Sequence, residues 1–111
     1  MEYTRHDIHG VTVLELRGRL DITGSEGLER RLLDEVNKSS GNILLNMSDV
    51  NYMSSSGISA ILGAARGARA KNRKLALCAI SPSIMKLLEV VELGNIFPVY
   101  STQAEGVEGL K

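Results

Sequence analysis

The sequence has no surplus of either charge, no apolar run long enough to span a bilayer, and only one cysteine. Each lack removes a class of function. Thirteen basic residues balance thirteen acidic ones, so no overall field draws the chain to nucleic acid or an anionic membrane. A membrane span takes about 20 consecutive apolar residues, and the longest runs here are only a few residues long. The opening Met1-Glu2-Tyr3-Thr4-Arg5-His6 lacks the apolar core of a secretion signal. Cys78 has no second cysteine to pair with, which fits a reducing cytoplasm. With only His6 and His9 beside it, a structural zinc site is short of ligands, and neither a metal nor a cofactor is expected.

What is present suits one globular domain over residues 1–111. The chain is 43% apolar and 23% charged, enough to build its own core without staples. Val11–Leu16 is β-rich and flanked by Gly10 and Gly18; Tyr3–Ile8 can pair with it antiparallel by turning through His9-Gly10. Thr23-Gly24-Ser25-Glu26 has capping-box spacing and opens a helix carrying Leu28, Leu32 and Val36, with Gly41 past its end. Ile43–Met47 and Leu75–Ile80 are short apolar runs and predict central strands covered on both faces. Between them Ile58, Ile61, Leu62, Ala65 and Ala68 form a helical stripe, closed by the basic Lys71-Asn72-Arg73-Lys74.

Ser81-Pro82 predicts a capped helix start, with Ile84, Leu87, Leu88 and Val91 buried and Gly94 at its end. Pro98 confines Ile96–Tyr100 to a sheet edge. Thr102 and Glu105 form a second capping box, but Gly106 and Gly109 make the last helix the expected weak element. This alternation predicts an α/β domain with a mixed, mostly parallel sheet and crossover helices.

Asp49-Val50-Asn51-Tyr52-Met53-Ser54-Ser55-Ser56-Gly57-Ile58 lies past the Ile43–Met47 strand and enters the next helix. That edge of a parallel sheet is where ligands and partners bind. The three serines either cap the helix or present hydroxyls to a partner. Asp49 is expected to organise the turn. Gly57, Ala60, Ala64 and Gly67 line a face of small residues beside the apolar stripe. Such a face either seats a neighbouring helix or lies open to another protein; the expectation carried forward is a partner surface.

The segment Asp49-Val50 through Tyr52-Met53-Ser54-Ser55-Ser56-Gly57-Ile58 resembles the phosphorylation loop of the STAS-domain anti-sigma factor antagonists. Gly18-Arg19-Leu20-Asp21, Lys74-Leu75-Ala76-Leu77-Cys78 and the Leu87-Leu88-Glu89, Leu93 and Ile96-Phe97 tail match in the same order. The resemblance runs from about Tyr3 to about Val107. It implies a small bacterial cytoplasmic protein, a monomer or weak dimer, that binds an anti-sigma factor which is also a serine kinase. Phosphorylation breaks that complex and a serine phosphatase restores it.

Aligned on Gly57, the phosphorylated position of the family falls on Ser55. The acidic residue that usually precedes it falls on Ser54, where this sequence departs from the pattern. Restoring an acid there is expected to speed phosphorylation by a kinase that reads it. The resemblance also places Asp21 at the partner contact; on its own chemistry Asp21 is equally a helix-start acid. Partner binding is thus expected at Asp21, Ser54, Ser56, Gly57, Ala60, Ala64 and Gly67. No Gly-x-Ser-x-Gly elbow or phosphate-binding Gly-rich loop is present, and no enzymatic activity is expected. A second reading is a STAS scaffold or accessory subunit of a signalling or transport complex that is never phosphorylated.

Overall fold

The computed structural model describes residues 2–90 and 97–111. Glu2–Ile8 (β1) and Val11–Leu20 (β2) form a hairpin whose end residues Ile8 and Val11 face each other. His9 and Gly10, both at positive φ (51° and 84°), make its two-residue turn, the backbone twist that tight hairpins favour. The strands Ile43–Met53 (β3), Leu75–Cys78 (β4) and Val99–Tyr100 (β5) add in sequence order, each parallel to its neighbour. The mixed five-stranded sheet agrees with the α/β expectation, and Pro98 does lie beside an edge strand.

Two strands run further than the apolar pattern indicated. β2 continues through Gly18 (φ 111°) and a register shift to Leu20, and β3 continues to Met53. The pairing of β2 with β3 therefore ends at Leu20 opposite Met53. Asp49 is correspondingly not in a turn: it lies on β3 opposite Arg17. β4 is shorter than expected, because Ala79 turns to φ 57°.

Residues alternate between two cores. Leu14, Leu16, Leu20, Ile43, Leu45 and Met47 face Leu28–Lys38 (α1), Ser55–Ala70 (α2) and Pro82–Val90 (α3). Leu28, Leu32 and Val36 of α1 are buried as the stripe predicted, as are Ile84 and Leu88 of α3. The Ser81 hydroxyl accepts from Ile84 N–H at 3.4 Å, which matches its expected capping role. The expected contributions of Val91, Leu93, Gly94 and Ile96 lie outside the described residues. Arg73 closes α2 only through its backbone N–H, which donates to the Ala68 carbonyl at 2.9 Å; its guanidinium donates instead to the Val36, Ser39 and Gly41 carbonyls. It thereby neutralises the negative C-terminal end of α1.

The expected capping box at Thr23 is also corrected. α1 begins at Leu28 after Gly27 in left-handed conformation, with no side-chain cap. Thr23 instead closes a turn, its carbonyl accepting from Glu26 N–H at 3.2 Å.

Gln103–Leu110 (α4) has the predicted cap, with the Thr102 hydroxyl accepting from Glu105 N–H at 3.1 Å. It is not peripheral. Among the described residues it alone provides helical cover for the second face, laying Val107 and Leu110 over Val11, Val13, Leu44, Ala76 and Cys78. A Cβ on Gly106 would lie 2.7 Å from Leu44, so that glycine permits the close approach of helix to sheet. Asn42 ties the helix end, donating to the Leu110 carbonyl at 2.7 Å.

Leu88→Ala should cost about 2–5 kcal/mol. Removing residues 102–111 should lower the urea midpoint more than Leu88→Ala does, since it bares a whole sheet face. Equal or smaller loss on truncation would contradict this assignment of α4 to the core.

Candidate functional site

The chain leaves the sheet at two adjacent places, Asp21 after β2 and Ser54 after β3, because Leu20 and Met53 are paired. Ser54 is the N-cap residue of α2, with extended backbone (φ −104°, ψ 175°), but its hydroxyl makes no capping bond to the helix. It donates to the Leu20 carbonyl at 2.9 Å, and the Ser54 backbone N–H donates to the same oxygen at 2.9 Å. The serines are thus not the capping cluster that their spacing allowed.

Ser55, the first residue of α2, is exposed; Ser56 is half-buried and Gly57 is buried. A Cβ at Gly57 would meet the Leu20 Cβ at 2.8 Å and the Leu20 carbonyl at 2.9 Å. Only glycine lets the first turn of α2 rest so close to β2.

Asp21 anchors the neighbouring turn. Its carboxylate accepts from Gly24 N–H at 2.7 Å and from Arg19 Nε at 3.4 Å. Its carbonyl accepts both the N–H and the hydroxyl of Ser25, at 2.9 and 2.6 Å. The Gly24 amide, helped by Arg19, holds the Asp21 carboxyl below its ordinary range, so it is charged at neutral pH. The Arg19 guanidinium also lies 4.3 Å from the centre of the Tyr52 ring, within cation–π range.

Two exposed apolar groups flank these turns, Ile22 at 76% and Tyr52 at 42% exposure. A shallow groove runs between Ile22, Glu26 and Arg30 on one side and Ser56 and Ser59 on the other. Neither Ile22 nor Tyr52 was identified from the sequence. The available signal was a lone isoleucine inside the polar Asp21–Gly27 segment.

The small-residue face is corrected. Ala64 is fully buried, Gly57 and Ala60 are buried, and a Cβ on Gly67 would strike Leu33 of α1. Gly57, Ala64 and Gly67 therefore do not form a surface open to a partner: Gly57 rests against β2 and Gly67 against α1, while Ala60, though only 6% exposed, lines the groove beside Ser56 and Ser59. Gly63, which the stripe passed over, meets the Glu29 carboxylate in the same way.

Cys78 is buried, and burial pushes its thiol up to about 11, so it stays protonated and unreactive. His6 and His9 lie on β1 and its turn, with β2 between them and β3. Among the described residues no group of three or more histidine, cysteine, aspartate or glutamate side chains converges to hold a metal. The arrangement offers an accessible hydroxyl at a helix start, beside a charged turn and two apolar anchors.

Ala64→Arg should unfold the domain, because an arginine at this fully buried core position must bury a cation at a cost of several kcal/mol. A native circular dichroism spectrum with an unchanged melting temperature would contradict this packing.

The geometry matches known proteins over nearly its full extent. An anti-sigma F factor antagonist of Paenibacillus polymyxa is 29% identical over 104 residues, covering 92% of this chain and 88% of that protein. An anti-sigma-factor antagonist (STAS) domain protein from Planctomyces limnophilus superposes with a TM-score of 0.85 at 22% identity, over 96% of each chain. The Bacillus cell fate determinant SpoIIAA, in its phosphorylated form, gives 0.72 at 22% identity over 96% of this chain and 97% of that one. The STAS domain family model matches residues 3–106, and the chain belongs to that family.

Proposed function

We propose that this protein is an anti-sigma factor antagonist: it binds an anti-sigma factor that is also a serine kinase, and phosphorylation of Ser55 releases it. The observation that carries the reading is the exposed Ser55 hydroxyl at the first position of α2, beside the charged Asp21 turn and exposed Ile22 and Tyr52. Similarity to the Paenibacillus antagonist and to SpoIIAA, a fold solved in phosphorylated form, supports it. In this reading the protein is a cytoplasmic binding module, not an enzyme. Asp21, Ser54 and Ser56 belong to the contact surface with Ile22 and Tyr52, and a serine phosphatase resets the switch.

The chemistry follows from the position. The kinase transfers the γ-phosphoryl group of ATP: the bond to ADP breaks, a bond to Ser55 Oγ forms, and the hydroxyl proton leaves. The product carries about −1.5 to −2 charges at neutral pH. Within the domain this charge is tolerated, since it sits at the positive end of α2. At the interface it is not. A partner packed on Tyr52, Ile22 and the first turn of α2 must bury a hydrated dianion, at a cost of several kcal/mol. Each 1.4 kcal/mol weakens binding about tenfold.

The substitution of serine for the family acid at position 54 favours a second reading, a STAS scaffold that is never phosphorylated. Phosphosite mapping after incubation with the cognate kinase and ATP separates the two. Phosphate should appear on Ser55, Ser55→Ala should bind the partner constitutively, and Ser56→Ala should still be phosphorylated on Ser55 and released by it. Ser55→Asp should keep the native spectrum and lose most binding, with some residue because aspartate carries about half the charge. Phosphate on Ser54 or Ser56 would overturn the assignment, and an unmodified loop would favour the scaffold.

A further inference from the structure

The two halves of the proposed contact surface, 34 residues apart in sequence at Leu20 and Ser54, meet at the Leu20 carbonyl, and the carbonyl next to it anchors the Asp21 turn. The Leu20 carbonyl accepts the N–H and the hydroxyl of Ser54, each at 2.9 Å. The next carbonyl, Asp21, accepts the N–H and the hydroxyl of Ser25, at 2.9 and 2.6 Å. One serine comes from the α2 junction and the other from the turn that Asp21 closes. Their anchors are adjacent in the backbone, so a shift at one is felt at the next peptide.

The backbone half of the Ser54 clasp is available to any residue except proline. The side-chain half needs a donor, which serine and threonine supply and a carboxylate does not. The hydroxyl that donates to Leu20 also leaves the N-terminal end of α2 without a side-chain cap. Gly57 completes the contact from the other side, its Cα held against Leu20 with no room for a Cβ.

We propose that Ser54 is a positioning residue of the switch: its hydroxyl pins the α2 junction to the Leu20 carbonyl, so that Ser55 and the Asp21 turn meet the kinase as one rigid unit. This inference rests on Ser55 being the phosphoacceptor. It also reverses one expectation from the family resemblance. An acid at position 54 sets a carboxylate against the Leu20 carbonyl, loses the bond, and turns instead toward the free amides of α2 as an N-cap. Introducing that acid should therefore slow phosphorylation of this protein. Threonine suits the extended backbone at position 54 and keeps the donor.

The test compares wild type with Ser54→Thr, Ser54→Ala and Ser54→Asp by two measurements. The first is amide hydrogen exchange at Ser54, Gly24 and Ser25 without any partner. Ser54→Ala and Ser54→Asp should exchange about fivefold faster there, equivalent to about 1 kcal/mol for one hydrogen bond, and Ser54→Thr should match wild type. The second is kcat and KM for Ser55 phosphorylation by the cognate kinase. Ser54→Ala should raise KM severalfold at near-constant kcat, because a loosened surface must be ordered on binding; Ser54→Thr should restore it. Exchange in Ser54→Ala indistinguishable from wild type would overturn the proposal, as would faster phosphorylation of Ser54→Asp. If wild type takes no phosphate, the phosphoacceptor reading fails, and the exchange pattern alone still decides whether the hydroxyl holds the junction.

Discussion

The parallel pairing of β2 with β3 out to Leu20 and Met53 is the constraint on which the rest of this surface depends. Because both strands end at the same level, Asp21 and Ser54 leave the sheet side by side. The Leu20 carbonyl, with no further strand partner, becomes the acceptor for Ser54. Strands ending at Leu16 and Met47, as the apolar pattern suggested, would have left the sheet one register block earlier, before Leu20 and Met53 could bring Asp21 and Ser54 together. Gly57 then allows α2 to start directly against β2, which places Ser55 at the rim rather than above it. One pairing thus positions a hydroxyl, a carboxylate and two exposed apolar side chains together.

Burial decides which of the remaining residues can face a partner. The small side chains of α2 are consumed by internal packing, with Ala64 fully buried and Gly63 and Gly67 against Glu29 and Leu33 of α1. What the fold leaves outside is Ile22, Tyr52 and the first turn of α2. In the proposed interface these apolar groups would be the anchors with the Asp21 charge beside them, so a dianion added at Ser55 would strike where desolvation is most costly. The proposed switch needs no change of fold. It needs only that the hydroxyl lie inside the contact.

Much of this was legible in the sequence, for physical reasons. The stripes of α1 and α3, the His9-Gly10 hairpin, the Ser81 and Thr102 caps and the edge position of Pro98 all follow from local periodicity and turn chemistry, which the sequence carries directly. The position of Ser55 at the start of α2 was legible in the same way. The failures share a cause: each depended on what lay across space. Thr23 and Glu26 have capping spacing, but the adjacent Asp21 carboxylate captures the Gly24 amide and makes a turn instead. Polar residues hid the length of β3: beyond Met47 only Val50 and Met53 are buried, and pairing with β2 carries the exposed positions between them. The small face of α2 could equally have met a partner or α1, and nothing local distinguishes them. The two glycines of α4 signal low helix propensity, and what the sequence alone does not show is that Gly106 seats the helix on Leu44.

In the proposed switch, charge on Ser55 alone lowers partner affinity while the fold persists. The most direct measurement is titration of the anti-sigma partner into the phosphorylated and unphosphorylated protein, with amide NMR spectra of both forms. The account predicts binding weaker by about 100-fold or more on phosphorylation, about 2.7 kcal/mol, with shift changes confined to residues 19–26 and 52–60. Equal affinities, or shift changes spreading through the packing of α1 on α2, would contradict it.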